Sequence, residues 1–351
     1  MTSDKIKIHH RYGKSIKYIA SVLLAVVFLY IAFQNVNFPD VLDIVSDASI
    51  FWISVFIVVN LFSHYIRAIR WKIILRSAKN DTSIKNLFGA IMVGYGVNCV
   101  VPRLGEVSRA VLVGKWEGLS RSQMMGAVIV ERVIDIIFLV IAIIVSALLW
   151  TESLYDKFPW LKNTIYISII LMAGLILFFY LLVRYKERFY GFIIKLVGKF
   201  SENLAQKGVH IFDMLTIGFS SLKGAKNYIL TILLSVVIML IYALNSYVGF
   251  FTIGMQNIQN VNFEMGWILM SISAIGVVIP TPGSTGSYHT LAKSALVLLF
   301  GFGENISFAY AFLTHIISYF IFIFSALLVY FIIDKKHDNF FKVAEKELDK
   351  I

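Results

Sequence analysis

Three groups of polar residues sit in stretches otherwise too apolar to tolerate them. Arg103, Glu106 and Arg109 follow at i, i+3 and i+6, which sets them along one slowly drifting side of a helix. Two guanidiniums against one carboxylate leave a positive excess, and guanidinium pairs with phosphate oxygens in a two-pronged fashion, so this group can seat an anionic head group. Its plainer reading is an internal Glu106–Arg109 pair that cancels charge. Glu131, Arg132 and Asp135 form the second group, with the carboxylates at i, i+4 and Arg132 three residues before Asp135, so the three can make one network on one helix. One carboxylate is left over for Arg103, Arg109 or a cationic substrate; the plainer reading is the charged end of a cytoplasmic helix. The third group, Asn60, His64, Arg67 and Trp71, is spaced four, three and four, a stripe down one helix face. Arg67, Arg70 and Trp71 read best as snorkelling anchors at the inner interface, whereas Asn60 and His64 lie deeper. A charge inside a bilayer costs about 3 kcal/mol on insertion scales, so each group is a functional candidate.

A fourth region is polar without being charged. Pro280, Pro282, Gly283 and Gly286 interleave with Ser284, Thr285 and Ser287 and lead to His289, a pattern whose exposed backbone amides can meet head-group oxygens. Further on, Tyr310, Thr314 and Ser318 recur at helical spacing with His315 and Tyr319 beside them, which is the usual signature of hydrogen bonds between membrane helices. No phosphate-binding P-loop, zincin motif or nucleophile elbow is present. The single cysteine, Cys99, excludes an intrachain disulfide and a cysteine metal cluster. No catalytic residue, metal ligand or cofactor is therefore assigned. The alternative in another class is an intramembrane lipid-modifying enzyme using His64, His289 or the carboxylates as acid and base; a membrane scaffold without transport is a third.

The elements that must position these residues follow from composition. Apolar residues make up 58% of the 351 and charged residues only 15%, well under the quarter usual in soluble domains. The net charge of +11 is gathered at the ends of apolar runs, without a basic run interleaved with aromatics, which points to membrane topology and anionic lipid and excludes nucleic acid. Six runs at residues 18–33, 50–69, 127–150, 164–183, 228–254 and 306–333 read as spans. The basic start of the chain resembles a signal peptide, but no small-residue cleavage site follows Phe33, so the first run is expected to be retained.

Two runs, 87–101 and 265–279, are about 15 residues each, roughly 22 Å of helix, and fall short of a 30 Å core. Each ends in a related break, Val101-Pro102-Arg103-Leu104-Gly105 and Ile279-Pro280-Thr281-Pro282-Gly283, after which an amphipathic run leads into a full span. The expected fold is an all-α polytopic membrane protein of about six spans and two re-entrant helical hairpins, related as an internal repeat. The tips are Pro102 with Gly105, and Pro280 with Pro282. Lys and Arg counts place the N- and C-termini in the cytoplasm, since loops 34–49 and 255–264 hold neither residue and 184–226 is basic. The hairpins then enter from opposite faces and the repeat is inverted. The domains are 1–49, tail, first span and outer loop; 50–150, first repeat; 151–226, connecting span and a basic cytoplasmic segment whose residues 187–222 read equally as an interfacial amphipathic helix or as a solvated linker with a frayed helix; 227–333, second repeat; and 334–351, a cytoplasmic tail.

The residues resemble a family at this point: the transmembrane, flippase-like domain of lysylphosphatidylglycerol synthases and its stand-alone relatives. The resemblance rests on Arg67 with Arg70-Trp71, Asn98 followed by Pro102-Arg103-x-Gly105-Glu106-x-x-Arg109, Glu131-Arg132-x-x-Asp135, and Pro280-x-Pro282-Gly283-x-x-Gly286. It implies a domain that carries aminoacylated phosphatidylglycerol across the membrane, here without the soluble synthase domain. The expected function is a lipid flippase or related transporter in a cytoplasmic or inner membrane. Its partners are membrane lipids, an anionic or lipid-linked substrate among them, and a separate synthase. Arg103 and Arg109 would hold phosphate, Glu106, Glu131 and Asp135 would balance them or bind a cationic head group, Gly283 and Gly286 would let backbone approach the substrate, and Asn98, Arg67, Arg132, His64 and His289 complete the candidate site.

Overall fold

A computed structural model describes residues 2–76, 78–150 and 224–333, with seven further positions between 166 and 185. Ten α-helices and no strands occur among the described residues. They are α1 (Thr2–Phe33), α2 (Phe38–Ser46), α3 (Ile50–Leu75), α4 (Ile84–Val100), α5 (Leu104–Glu117), α6 (Arg121–Leu149), α7 (Ala225–Thr252), α8 (Phe263–Val278), α9 (Ser287–Leu298) and α10 (Glu304–Ile333). Among them α3, α7 and α10 are long and apolar enough to cross a membrane, and α1 joined to α2 across an 86° bend makes a fourth crossing candidate. The protein is an all-helical polytopic membrane protein. The expected span at 164–183 lies mostly outside the described residues, and the segment at 187–222, read as an interfacial helix or a linker, and the tail at 334–351 lie wholly outside them.

Two local differences from the sequence reading have physical causes. The outer loop at 34–49 contains α2, whose start is set by Pro39 in the first turn and by Asp40 close to the positive end of the helix dipole. Helix α3 runs on to Leu75, six residues past the expected end of the span, so Arg67, Arg70 and Trp71 sit inside a continuous helix instead of at its margin.

The chain divides into two compact units, Met1–His64 with Ile91–Arg109 and Leu240–Ile351, and Tyr65–Ala90 with Ala110–Met239. In the first unit α10 serves as a ruler. Helix α9 packs along its first half, with the Lys293 ammonium 2.7 Å from Glu304 and the Tyr288 hydroxyl 3.0 Å from Thr314. Further along α10, the ring of Tyr319 fills the space beside Gly283 in the second break and its hydroxyl donates to the carbonyl of Cys99 beside the first. Beyond Tyr319 come contacts with α4, where Tyr95 stacks on Phe322 at 4.6 Å and Gly96 lies against Phe322 and Ala326, and with His64 of α3. The second hairpin thus occupies the early half of α10 and the first hairpin the late half. They approach from opposite ends and meet at Tyr319, near the middle of that helix.

Each hairpin also closes on itself. In the second unit the Glu117 carboxylate at the end of α5 accepts from Asn86 Nδ2 (2.7 Å), the Ser83 amide (3.1 Å) and Lys79 Nζ (2.9 Å), all at or before the start of α4. That hydrogen bond to Glu117 raises the Lys79 pKa above its ordinary value. In the first unit Gln259 Nε2, ahead of α8, donates to Phe300 O, just after α9, at 2.9 Å. Both chains therefore return to the level at which they entered, as re-entrant segments must.

Broken backbone inside a membrane is tolerated only where protein or water satisfies it. Ser21 Oγ of α1 donates to Pro280 O at 2.6 Å, and Ser287 Oγ to Gly276 O at 2.7 Å. Helix α1 is thereby fastened to the second hairpin, an attachment strengthened by Thr290 Oγ1 to Phe28 O at 2.7 Å and Lys293 Nζ to Gln34 O at 2.5 Å.

Candidate functional site

The predicted site residues divide between the two units. Asn98, Pro102, Arg103, Gly105, Glu106 and Arg109 belong to the first unit with His64, Pro280, Pro282, Gly283, Gly286 and His289; Arg67, Glu131, Arg132 and Asp135 belong to the second.

In the first unit the tip of the first hairpin is built by Asn98. Its Oδ1 accepts from the Gly105 amide at 2.7 Å, so a side chain of the incoming helix caps the outgoing one and satisfies one of its unpaired N–H groups. Its Nδ2 lies 3.4 Å from Glu106 Oε2, and that carboxylate, in the first turn of α5, complements the helix dipole. Asn98 is therefore a builder of the tip. The two helices cross where neither has a side chain: a Cβ on Gly105 would overlap the Gly94 carbonyl oxygen, and one on Gly94 would stand 3.0 Å from the Gly105 oxygen. Arg109 is buried at this crossing. Arg103 is exposed, forms no ion pair among the described residues, and holds a left-handed backbone with φ of 65°.

The second tip is packed against its neighbours. Gly283 and Gly286 do not present open backbone, because Tyr319 occupies the space beside Gly283 and a Cβ on Gly286 would stand 2.5 Å from the Ala25 oxygen of α1. Their bareness serves close packing of the tip against its neighbours. His289 is buried, and its Nδ1 accepts the Gly286 amide at 3.2 Å, which makes it a cap for α9. His64 is likewise buried, its ring 4.6 Å from Tyr95 and 5.3 Å from Phe322. Pro280 is exposed at the break and Pro282 opens the short 3-10 turn Pro282–Ser284.

In the second unit the surface anchors expected at Arg67 and Arg70 prove to be buried ion-pair partners. Arg67 Nη2 lies 2.5 Å from Glu131 Oε1 and 3.0 Å from Asp135 Oδ2. Arg70 Nη2 lies 2.5 Å from Asp135 Oδ1 and 3.4 Å from Glu131 Oε1, and its Nη1 donates to Ser235 Oγ at 2.9 Å. Arg70 and Glu131 are wholly buried and Arg67 almost so, whereas Arg132 is 38% exposed and 3.7 Å from Asp135. The carboxylate thought to be left over is taken up by the second arginine, and the cluster sits within the helix interior because α6 begins at Arg121, ten residues before Glu131, under a Ser120–Gln123 capping box.

Sequence reasoning missed Arg70 as a partner, Tyr319 as the meeting point and Glu117 as the hairpin clasp. Arg70 was legible in principle, since two arginines at i, i+3 face two carboxylates at i, i+4.

A family model described as the lysylphosphatidylglycerol synthase TM region matches residues 18–326. A UPF0104 membrane protein of Methanocaldococcus jannaschii is 23% identical over 59% of this chain and 63% of its own length. Another, from Methanothermobacter thermautotrophicus, is 29% identical over 41% of this chain and 43% of its own. The chain thus covers less than two thirds of either relative. No solved structure matches. The family match runs from within α1 to within α10 and takes in both hairpins and the buried ion-pair cluster, and on that ground the chain belongs to the lysylphosphatidylglycerol synthase TM region family.

Proposed function

We propose that the protein moves a phospholipid or a lipid-linked polar head group across the membrane, acting as a transporter and not as an enzyme. The observation that carries this reading is the tip of the first hairpin. There an exposed arginine, Arg103, with no ion pair among the described residues, holds strained backbone at a break that meets an oppositely directed break at Tyr319. Non-glycine residues held in left-handed backbone concentrate at functional sites. Oppositely directed broken helices that meet inside a bundle are the arrangement by which transporters open one site to each side in turn.

In this reading Arg103 receives the lipid phosphate, with Arg109 and Glu106 behind it. The Arg67–Arg70–Glu131–Asp135 cluster holds the scaffold. The driving force is a gradient, a partner or none, and a separate synthase would supply an aminoacylated lipid.

Arg103→Ala is expected to lower transfer of a fluorescent phosphatidylglycerol between the leaflets of proteoliposomes by at least about tenfold, the equivalent of ~1.4 kcal/mol. Elution profile and melting temperature should not change, because an exposed cation that serves the substrate contributes little to the empty fold. Unchanged transfer, or loss of folded protein in place of transfer, would sink the assignment.

A further inference from the structure

Helices α4 and α8 are enclosed along much of their length and come open at their last turn. Ile91, Met92 and Val93 of α4 and Ile268, Leu269 and Met270 of α8 are buried, whereas Val100 is 61%, Val277 56% and Val278 54% exposed. Tips meeting in a closed interior would show the reverse, with burial deepest at the break. Of the exposed residues at the two breaks, 98–105 and 277–286, Arg103 alone is polar, and the others are Val100, Val101, Val277, Val278 and Pro280. The helices that latch the breaks show the same surface: Ile19 and Leu23 flank Ser21 on α1 and Phe320 follows Tyr319 on α10, all three exposed.

Depth decides what covers these side chains. Tyr319 lies near the middle of the 30 residues of α10, about 22 Å from either end at 1.5 Å per residue, whereas half of a hydrocarbon core is about 15 Å. The medium beside the breaks is therefore acyl chain. Backbone in contact with hydrocarbon must be satisfied by the protein, and four groups at the breaks are so held: Tyr319 holds the Cys99 carbonyl, Asn98 the Gly105 amide, Ser21 the Pro280 carbonyl and Ser287 the Gly276 carbonyl. A water-filled site would instead line its mouth with polar side chains. The guanidinium of Arg103 is the exception, costly among acyl chains and relieved by an anion, since opposite charges attract far more strongly there than in water.

We infer that the breaks open sideways onto the acyl chains, so that only the anionic head group of the substrate enters, to Arg103, while its tails stay in the bilayer throughout. This rests on the transport reading and adds the substrate class: a lipid selected by the phosphate at its head, without regard to the length or branching of its tails. Selection among tails needs walls that enclose them, and the exposed valines provide none.

Two measurements test it. Single nitroxide labels at Val100→Cys and Val278→Cys, in a Cys99→Ala background of the full chain reconstituted in phosphatidylcholine vesicles, should collide more with oxygen, which concentrates in hydrocarbon, than with a water-soluble nickel chelate. More frequent collision with the chelate would reveal a water-filled site, and shielding from both reagents a closed one; either overturns the inference. In the same vesicles, phosphatidylethanolamines whose amine carries nitrobenzoxadiazole, leaving one anionic phosphate, should be transferred by the unaltered chain at rates within about threefold of one another whether their tails are dimyristoyl, dioleoyl or diphytanoyl. A wider spread overturns it. The transport reading fails differently: transfer that is absent, or that Arg103→Ala leaves unchanged, would remove that reading while the label accessibilities stayed as they were.

Discussion

Replacing Glu131 by alanine is expected to destabilise the protein by about 3–5 kcal/mol, the usual loss when one partner of a buried ion pair is removed. The four-membered cluster is neutral as it stands, with Arg67 and Arg70 facing Glu131 and Asp135 at separations between 2.5 and 3.4 Å. Without Glu131 a single carboxylate faces two buried guanidiniums, and Arg67 loses its 2.5 Å partner. The effect should appear as a fall in melting temperature in detergent and in the yield of monodisperse protein. A second variant separates structure from substrate binding: Glu131→Ala combined with Arg67→Met restores charge balance and should recover part of the loss. If Glu131→Ala is as stable as the unaltered protein but inactive, the cluster binds substrate and the scaffold role is wrong.

Gly105→Ala should have an effect of similar size by a different route. The added methyl would overlap the Gly94 carbonyl oxygen and stand 2.7 Å from Asn98 Cγ, so the helices of the first hairpin must separate or the Asn98 cap must break. Overpacking of this kind costs about 1–3 kcal/mol and occasionally more, and loss of the cap adds about 1 kcal/mol. We expect a protein that melts markedly lower and transfers lipid poorly. Gly114→Ala, whose Cβ would meet its nearest atom at 3.2 Å, is the milder comparison. Equal behaviour of the two variants would show that the close crossing at Gly105 does not hold the hairpin.

Much of this architecture was legible in residue order, and the reasons are specific. Short apolar runs ending in Pro102 and Pro280 cannot cross a bilayer, so re-entrant hairpins followed from length alone. The charged groups were found because bilayer interiors exclude charge, but their partners were not. Whether Arg67 and Arg70 snorkel or pair depends on how far α3 continues past Ile69, and helix ends are poorly fixed by sequence when no proline or glycine marks them. What surrounds Gly283, Gly286 and His289 was hidden for a related reason. Glycine next to proline signals open backbone, but only the neighbouring helices decide whether substrate or protein fills the space, and here Tyr319 and α1 fill it. Tyr319 stood out only as one of several polar residues beside the Tyr310, Thr314 and Ser318 stripe, and spacing along one helix does not tell which neighbouring carbonyl such a hydroxyl will reach.

The hairpins are fastened unevenly, and that difference has a mechanical consequence. At its root the first is gripped by a carboxylate with three donors, and the second by an amide bridging the two ends of its own chain. At the tips the carbonyls of Cys99 and Pro280 are held by lone hydroxyls, those of Tyr319 and Ser21. A neutral hydrogen bond of that sort contributes about 0.5–1.5 kcal/mol, an amount thermal motion overcomes often. Each hairpin is thus a cantilever, clamped where it enters and lightly latched at its free end, so deflection gathers at the latches while the roots stay put. The two latches draw on different helices, α10 for the Cys99 carbonyl and α1 for the Pro280 carbonyl. Because Thr290 and Lys293 tie the second lever to the α1 side as well, the first is the freer of the two.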